Sequence, residues 1–429
     1  MSYKAIVSRI HTRPLAGADN LVIGSCGAYQ VIVGRDTEDG QLGVFLESDG
    51  RLSEEFATKN DLVRRKNEDG SRAGGMFDEN RRVKSIKLRG AKSEGFWCPL
   101  EKLAYTGVNL SILVEGFQFS ELNGHAICDK YVTQATSNRR GSHPKIQRDN
   151  KMFAKHIETG QFRRECQLIP EDAICYVTEK LHGSSFRLGH VLDEEPIKRG
   201  PVWGWIAARL GLPLTQRVWR HLTGSRNVIL EHREGHGFYG EEEFRRKCVE
   251  GISLHKGEVI YGEIVGYTET GAPIMATQST IGLKDKSIKA RFGDVVDYAY
   301  GCHVGQCKAF VYRITQVDED GHVVELSWPQ VKKRCRDLGL EVVPSIGPVI
   351  VLSSAGLQWL TTVVDQSTEG RDNQPHSSLL DERHIREGVV VRWESEHGTG
   401  LLKNKGFTFS VLEGILKECG EYVDLEEAS

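Results

Sequence analysis

Lys180 stands in the run Thr178-Glu179-Lys180-Leu181-His182-Gly183-Ser184-Ser185. A lysine amine followed by a glycine-bearing turn is a candidate nucleophile towards phosphorus. At a pKa of about 10.4 a free lysine is a poor nucleophile at neutral pH. Burial and neighbouring cations disfavour its charged form and make it a better one. Four downstream segments supply what such a lysine needs to attack a nucleotide: Tyr261-Gly262-Glu263-Ile264, Phe310-Val311-Tyr312, Arg386-Glu387-Gly388-Val389-Val390-Val391 and Leu402-Lys403-Asn404-Lys405. Each is commonplace alone, and an isolated K-x-x-G usually marks a solvated strand end followed by a turn. The signal is the ordered set.

These groups need strands to hold them. Ile174-Cys175-Tyr176-Val177-Thr178 is rich in β-formers and reads as a strand running into Lys180. Side chains alternate along a strand, so Glu179 and Lys180 face opposite ways and do not pair directly. His182 to Ser185 reads as the turn that leaves it, with Gly183 letting the backbone approach a phosphate. Val259 to Gly266 is an apolar strand with one acid, Glu263, at its centre. An unpaired buried carboxylate is costly, and a ligand hydroxyl or a metal would relieve that cost. Glu387 to Arg392 repeats the pattern. Lys403 and Lys405 fall two apart, on one strand face, where they repel unless an anion lies between them. Lys403, Lys405 and a bound divalent metal are the cations that would act on Lys180. Ala309 to Ile314 is a strand whose aromatics, Phe310 and Tyr312, share a face. Either could stack on a base, an interaction worth roughly 1–3 kcal/mol.

The ordered set resembles the covalent nucleotidyltransferase superfamily, which comprises ATP-dependent DNA and RNA ligases and mRNA capping enzymes. The Glu179-Lys180-Leu181-His182-Gly183-Ser184 form, with His182 where many DNA ligases carry Asp, is most similar to the RNA ligases that seal nicks in duplexes. The resemblance spans about residues 150–412. It implies that Lys180 attacks the α-phosphorus of ATP to form a lysyl–AMP. Glu179, His182 and Gly183 belong to the nucleotide-binding motif. Glu263 would hold the ribose hydroxyls and share with Glu387 the binding of Mg²⁺ or Mn²⁺. Tyr312 would stack on adenine in preference to Phe310, and Lys403 and Lys405 would grip the α-phosphate. The family's further arginine matches Arg226, with Arg187 as the alternative.

The first 125 or so residues read differently. The short β-rich runs Ala5-Ile6-Val7, Tyr29 to Val33, Leu42 to Leu46 and Val83 to Leu88 are split by turns, a pattern of small barrels. Leu88 to Gly95, with Ala18-Asp19-Asn20-Leu21 upstream, resembles OB-fold tRNA-binding modules, and OB folds commonly bind oligonucleotides on one barrel face. RNA ligases of the Deinococcus and Naegleria type carry such a module ahead of the catalytic domain. The expected class is α+β: an OB-type β-barrel over 1–130, a polar linker over 131–150, and an ATP-grasp-like ligase domain of antiparallel sheets and helices over 151–429. Residues 190–222, with an amphipathic-looking Trp203 to Leu210, and 349–383 read as surface insertions. The short tail after Lys405 ends in Glu421, Asp424, Glu426 and Glu427 and leaves no room for the carboxy-terminal OB domain of DNA ligases and capping enzymes.

Composition fits a cytoplasmic or nucleoplasmic enzyme, not a secreted one. The chain has 429 residues, no amino-terminal apolar leader and no span of about 20 apolar residues that would cross a bilayer. Its ten cysteines lack a C-x-x-C pair; the closest grouping, Cys302-His303 and Cys307, lacks zinc spacing, so they read as reduced. With a net charge of −3, any nucleic-acid footprint must be local. Three basic groups qualify: Arg139 and Arg140 through Lys145, Arg148 and Lys151; Lys284, Lys286, Lys289 and Arg291; and Arg209, Arg217 and Arg220 among Trp203, Trp205 and Trp219. The reading is a monomeric ATP-dependent RNA ligase joining 3′-hydroxyl and 5′-phosphate ends, with RNA or an RNA-containing nicked duplex as partner. A GTP-dependent capping-type nucleotidyltransferase and a non-catalytic OB-type RNA-binding protein are the alternatives.

Overall fold

The computed structural model describes residues 3–27, 29–48, 50–66, 72–88, 91–131, 149–157, 159–197, 209–230, 243–281, 286–353, 356–370, 374–410 and 412–413. The linker segment 133–142, most of the first basic group, Lys284, Trp203, Trp205 and the acidic tail lie outside them. The described chain divides into two compact units. Of the described residues, one unit holds those within 1–138, 161–166 and 410–420, and the other holds those within 139–160 and 167–409.

The first unit is built on an antiparallel sheet of β1 (Ala5–Pro14), β2 (Leu21–Cys26), β3 (Tyr29–Gly34), β4 (Leu42–Glu47) and β5 (Gly95–Pro99), in the order β5-β4-β1-β2-β3. This half-barrel is OB-like. Strand β4 is buried on both faces. Val44 and Leu46 join a core with Ala5, Val7 and Phe56, while Phe45 turns to a second core with Ile10, Val31 and Trp97. Two of these strands, β2 and β5, are absent from the sequence reading, and Val83 to Leu88 yields a strand only over Ile86–Leu88. The run is too short and mixed for alternation to show which residues pair. The two OB-like motifs meet β3 and the residue after it: Asn20 C=O accepts from Arg35 N–H, Ser93 Oγ accepts from Ile32 N–H, and Glu94 Oε2 accepts from Gln30 N–H.

The second unit has two antiparallel sheets. One runs β6 (Ile174–Lys180), then β11 (Gly388–Ser395), then β12 (Gly398–Lys405). The other runs β8 (Thr215–Gly224), β7 (Ser184–Pro196), β9 (Glu258–Gly266) and β10 (Cys307–Val317). Helix α1 (Trp328–Leu338) starts where Ser327 and Gln330 form a reciprocal capping box, and stops at Gly339 in the left-handed region. Helix α2 (Gly356–Thr368) buries Leu360, Val363 and Val364, an apolar stripe at helical spacing, so the stretch read as a surface insertion contains a packed helix. Residues 190–196 and 215–222 likewise belong to β7 and β8, paired from Arg187–Gly224 to Pro196–Thr215. They are ladder residues of an antiparallel strand pair, so pairing with the neighbouring strand holds them in the sheet.

Candidate active site

Register assembles the charged groups. Lys180 pairs with Gly388, and Gly388 with Lys405, so the three form one rung across β6, β11 and β12. The next rung on the same face is Thr178, Val390 and Lys403. Gly388 must lack a Cβ, since one would sit 2.2 Å from Asn404 O. Glu387, just ahead of Gly388, has a fully buried side chain; its Oε1 lies 3.0 Å from Lys180 Nζ and 3.2 Å from Lys405 Nζ. Lys180 itself is only 11% exposed. Whereas the sequence reading looked for an anion between Lys403 and Lys405, one of the protein's own carboxylates thus lies between Lys180 and Lys405. Its attraction favours the ammonium form of the amine, opposite to the effect expected of the lysine neighbours.

His182 closes this cluster. Its Nδ1 lies 3.5 Å from Glu387 Oε2, its ring meets Tyr298 and Phe409 edge-on, and its N–H donates to Tyr300 Oη at 2.7 Å. Glu179 faces away from Lys180, as alternation requires, and its Oε2 accepts from Leu379 N–H at 2.9 Å. Burial pushes the Glu179 carboxyl above its usual range, opposed by bonds from Ser378 and Leu379. Gly183 has a packing reason: a Cβ there would come within 2.7 Å of Ile264 O on β9.

The facing sheet supplies the rest. Glu263 lies opposite Ser185 on neighbouring strands, and Ser185 Oγ donates to its Oε1 at 2.9 Å. The register between β9 and β10 shifts at Tyr261/Gly262, from Tyr261 opposite Arg313 to Gly262 opposite Val311, so the β9–β10 pairing passes over Tyr312. Such a bulge re-aims side chains. Here it puts the consecutive residues Tyr312 and Arg313 both on the cavity wall, together with Lys180, Lys403, Glu263 and Arg226. Phe310 is 1% exposed and does not line that wall. Arg187 is buried too, with Nε on Ser225 O and Nη1 on Phe153 O, while Arg226 faces the cavity.

Several lining residues escaped the sequence reading: His156, Arg313, Trp328 and Arg392. Arg392 and Arg313 belong to a second buried ionic network. Arg313 bonds Glu325 through Nε at 2.9 Å, Arg392 bonds Glu394 at 2.6 Å and Leu326 O at 2.6 Å, and Trp328 N–H donates to Glu394 at 2.6 Å. A buried arginine inside a β-branched strand was the available signal for Arg392. His156 precedes the first strand of the motif set and carries no pattern of its own.

Among the described residues all nine cysteines are free, and the one grouping with metal-ligand proximity is the exposed Asp318, Asp320 and His322, not Cys302, His303 and Cys307. Lys289 pairs with Asp294 at 2.7 Å, Arg291 donates to Pro375 O, and Arg220 pairs with Glu195. No helix among the described residues is long and apolar enough to cross a membrane.

A family model described as RNA ligase matches residues 174–409, the stretch that runs from β6 to β12 and holds the cavity's lining apart from His156 and its neighbours Ile157 and Thr159. No curated protein matches the chain as a relative. The fold is similar to solved structures of Naegleria gruberi RNA ligase. An apo mutant of that enzyme is 15% identical, with a TM-score of 0.57 over 96% of this chain and 98% of that one. A mutant with ATP and Mn is 16% identical, with a TM-score of 0.57 over 95% and 98%. The ligase with PPi is 15% identical, with a TM-score of 0.56 over 97% and 99%.

Proposed function

Because the chain belongs to the RNA ligase family and is an enzyme of that class, we propose that it joins 3′-hydroxyl to 5′-phosphate RNA ends, using ATP through a lysyl–AMP on Lys180. The observation that carries this reading is that Lys180 lines the cavity together with Lys403 and Arg226, with its Nζ 3.0 Å from Glu387 Oε1.

The deprotonated amine attacks the α-phosphorus. The N–P bond forms as the bond to the pyrophosphate oxygen breaks. Glu387 Oε1 is within reach of the proton the ammonium must lose. An oxygen of the RNA 5′-phosphate then displaces Lys180 and takes the AMP. The 3′-hydroxyl attacks that phosphate and AMP leaves. Lys403, Lys405 and Arg226 offset charge on the phosphates, Glu263 takes the ribose hydroxyls, and the Tyr312 ring stacks on adenine.

The carboxylates of Glu263 and Glu387 are hard oxygen donors, which suits Mg²⁺ or Mn²⁺. Held there, the ion would offset phosphate charge and take up the Glu387 carboxylate that otherwise pairs with Lys180. The OB-like unit, residues 1–130, would hold the RNA, with 131–150 as linker. The Naegleria ligase structures with ATP and Mn support the choice of nucleotide and metal. Incubation with radioactive ATP, and separately GTP, tests the reading: wild type labels from ATP alone and Lys180→Ala does not label. A labelled Lys180→Ala protein ends the assignment.

A further inference from the structure

We propose that His156 is a positioning residue for the nucleotide, fixing the ring of Tyr312 on the cavity wall through a hydrogen bond to its phenol; this rests on the base-stacking reading of Tyr312. His156 Nδ1 is bonded to Tyr312 Oη, and both residues line the cavity. Tyr312 stands at the register shift between β9 and β10, where a strand's side chains are re-aimed, and the bond ties its ring to the segment ahead of β6.

His156 is itself held on several sides. Its ring meets Tyr261 edge-on, with centroids 5.1 Å apart, and Arg313 lies 4.4 Å over the Tyr261 ring. The backbone leading to it is pinned twice: Phe153 O accepts from Arg187 at 2.7 Å, and Ala154 O accepts from Tyr261 Oη at 3.1 Å. Burial, with Arg226, Arg187 and Arg313 nearby, keeps the imidazole well below its ordinary pKa. A neutral imidazole can bond a neutral phenol in either tautomer. The ring is therefore a rigid, uncharged strut. A stacking platform that keeps its orientation before ATP arrives loses less rotamer freedom on binding.

AMP labelling at a series of ATP concentrations tests the proposal. His156→Ala should raise the ATP concentration for half-maximal labelling about ten-fold and leave the saturating rate within about three-fold. Tyr312→Phe keeps the ring, removes the hydroxyl and should give the same shift. The double variant should be no worse than either single. His156→Asn, whose amide can reach the phenol, should recover most of the loss, and it is the variant to read should His156→Ala fail to fold. Additive effects in the double variant, or an unchanged ATP dependence in His156→Ala, overturn the proposal. Tyr312→Ala separates two failures. If it too leaves ATP dependence unchanged, the base-stacking reading falls; if it alone weakens ATP, only the role of His156 falls.

Discussion

Beside Lys180, one carboxylate serves two ammonium groups: Glu387 Oε1 lies 3.0 Å from Lys180 and 3.2 Å from Lys405. Beside Trp328, two carboxylates serve two guanidinium groups, with Arg313 on Glu325 and Arg392 on Glu394. Both clusters are buried and both border the same cavity. They are made of different materials. Lysine is a flexible point charge that changes partner and protonation state readily; arginine is a planar fork that does neither. The arginine network is further fastened to main chain, through Leu326 O and Trp328 N–H. On the proposed function, chemistry would occupy the cluster whose partners can be exchanged, and support would fall to the one whose partners cannot.

Four substitutions or conditions probe that difference. The largest effect is expected for Lys180→Arg, which keeps a cation beside Glu387 but removes the nucleophile. AMP labelling should fall by more than about a thousand-fold, with the unfolding midpoint near wild type; a large loss of stability would instead make Lys180 a structural ion-pair partner. Next, Arg392→Ala leaves Glu394 buried and uncompensated and should cost about 3–5 kcal/mol of stability in denaturant titration. A change under about 1 kcal/mol would place the network among the exchangeable ones. Third, Glu387→Gln removes the charge between the lysines, and AMP loading should slow about 100-fold in a single-turnover assay. Faster loading would mean that the carboxylate only restrains the amine.

The smallest effect is in pH. Burial holds His156 and His384 below the ordinary histidine value of 6.5. Below that pH the unfolded chain binds more protons than the folded one. The stability from these groups is therefore present above about pH 6.5 and lost as pH falls through the lowered values. Melting midpoints should drop between pH 7 and pH 5, and His384→Gln should flatten the slope. An unchanged slope would free His384 of this role.

Much of the site was legible because its logic is local. The opposite facing of Glu179 and Lys180 follows from alternation in one strand, and Leu379 N–H indeed meets Glu179 on the far side. Alternation made Phe310 and Tyr312 legible only as a pair, and the preference for Tyr312 came from the family resemblance, because a bulge depends on the neighbouring strand. The pairing of Glu387 with Lys180 escaped the sequence reading, which put cations and a metal around the amine. In the first unit, β4 was visible as a β-rich run, whereas its partner β5 was not.

The sequence by itself determined which chemical groups exist, their order, and which faces of a strand they take, since side-chain alternation needs only neighbouring residues. Tertiary structure decided that Lys180, Gly388 and Lys405 share a rung, that Glu387 sits between the two amines, and that His156 reaches Tyr312. Those contacts depend on strand register between segments far apart in the chain. Register is set by the packing of whole sheets, and no short motif contains it.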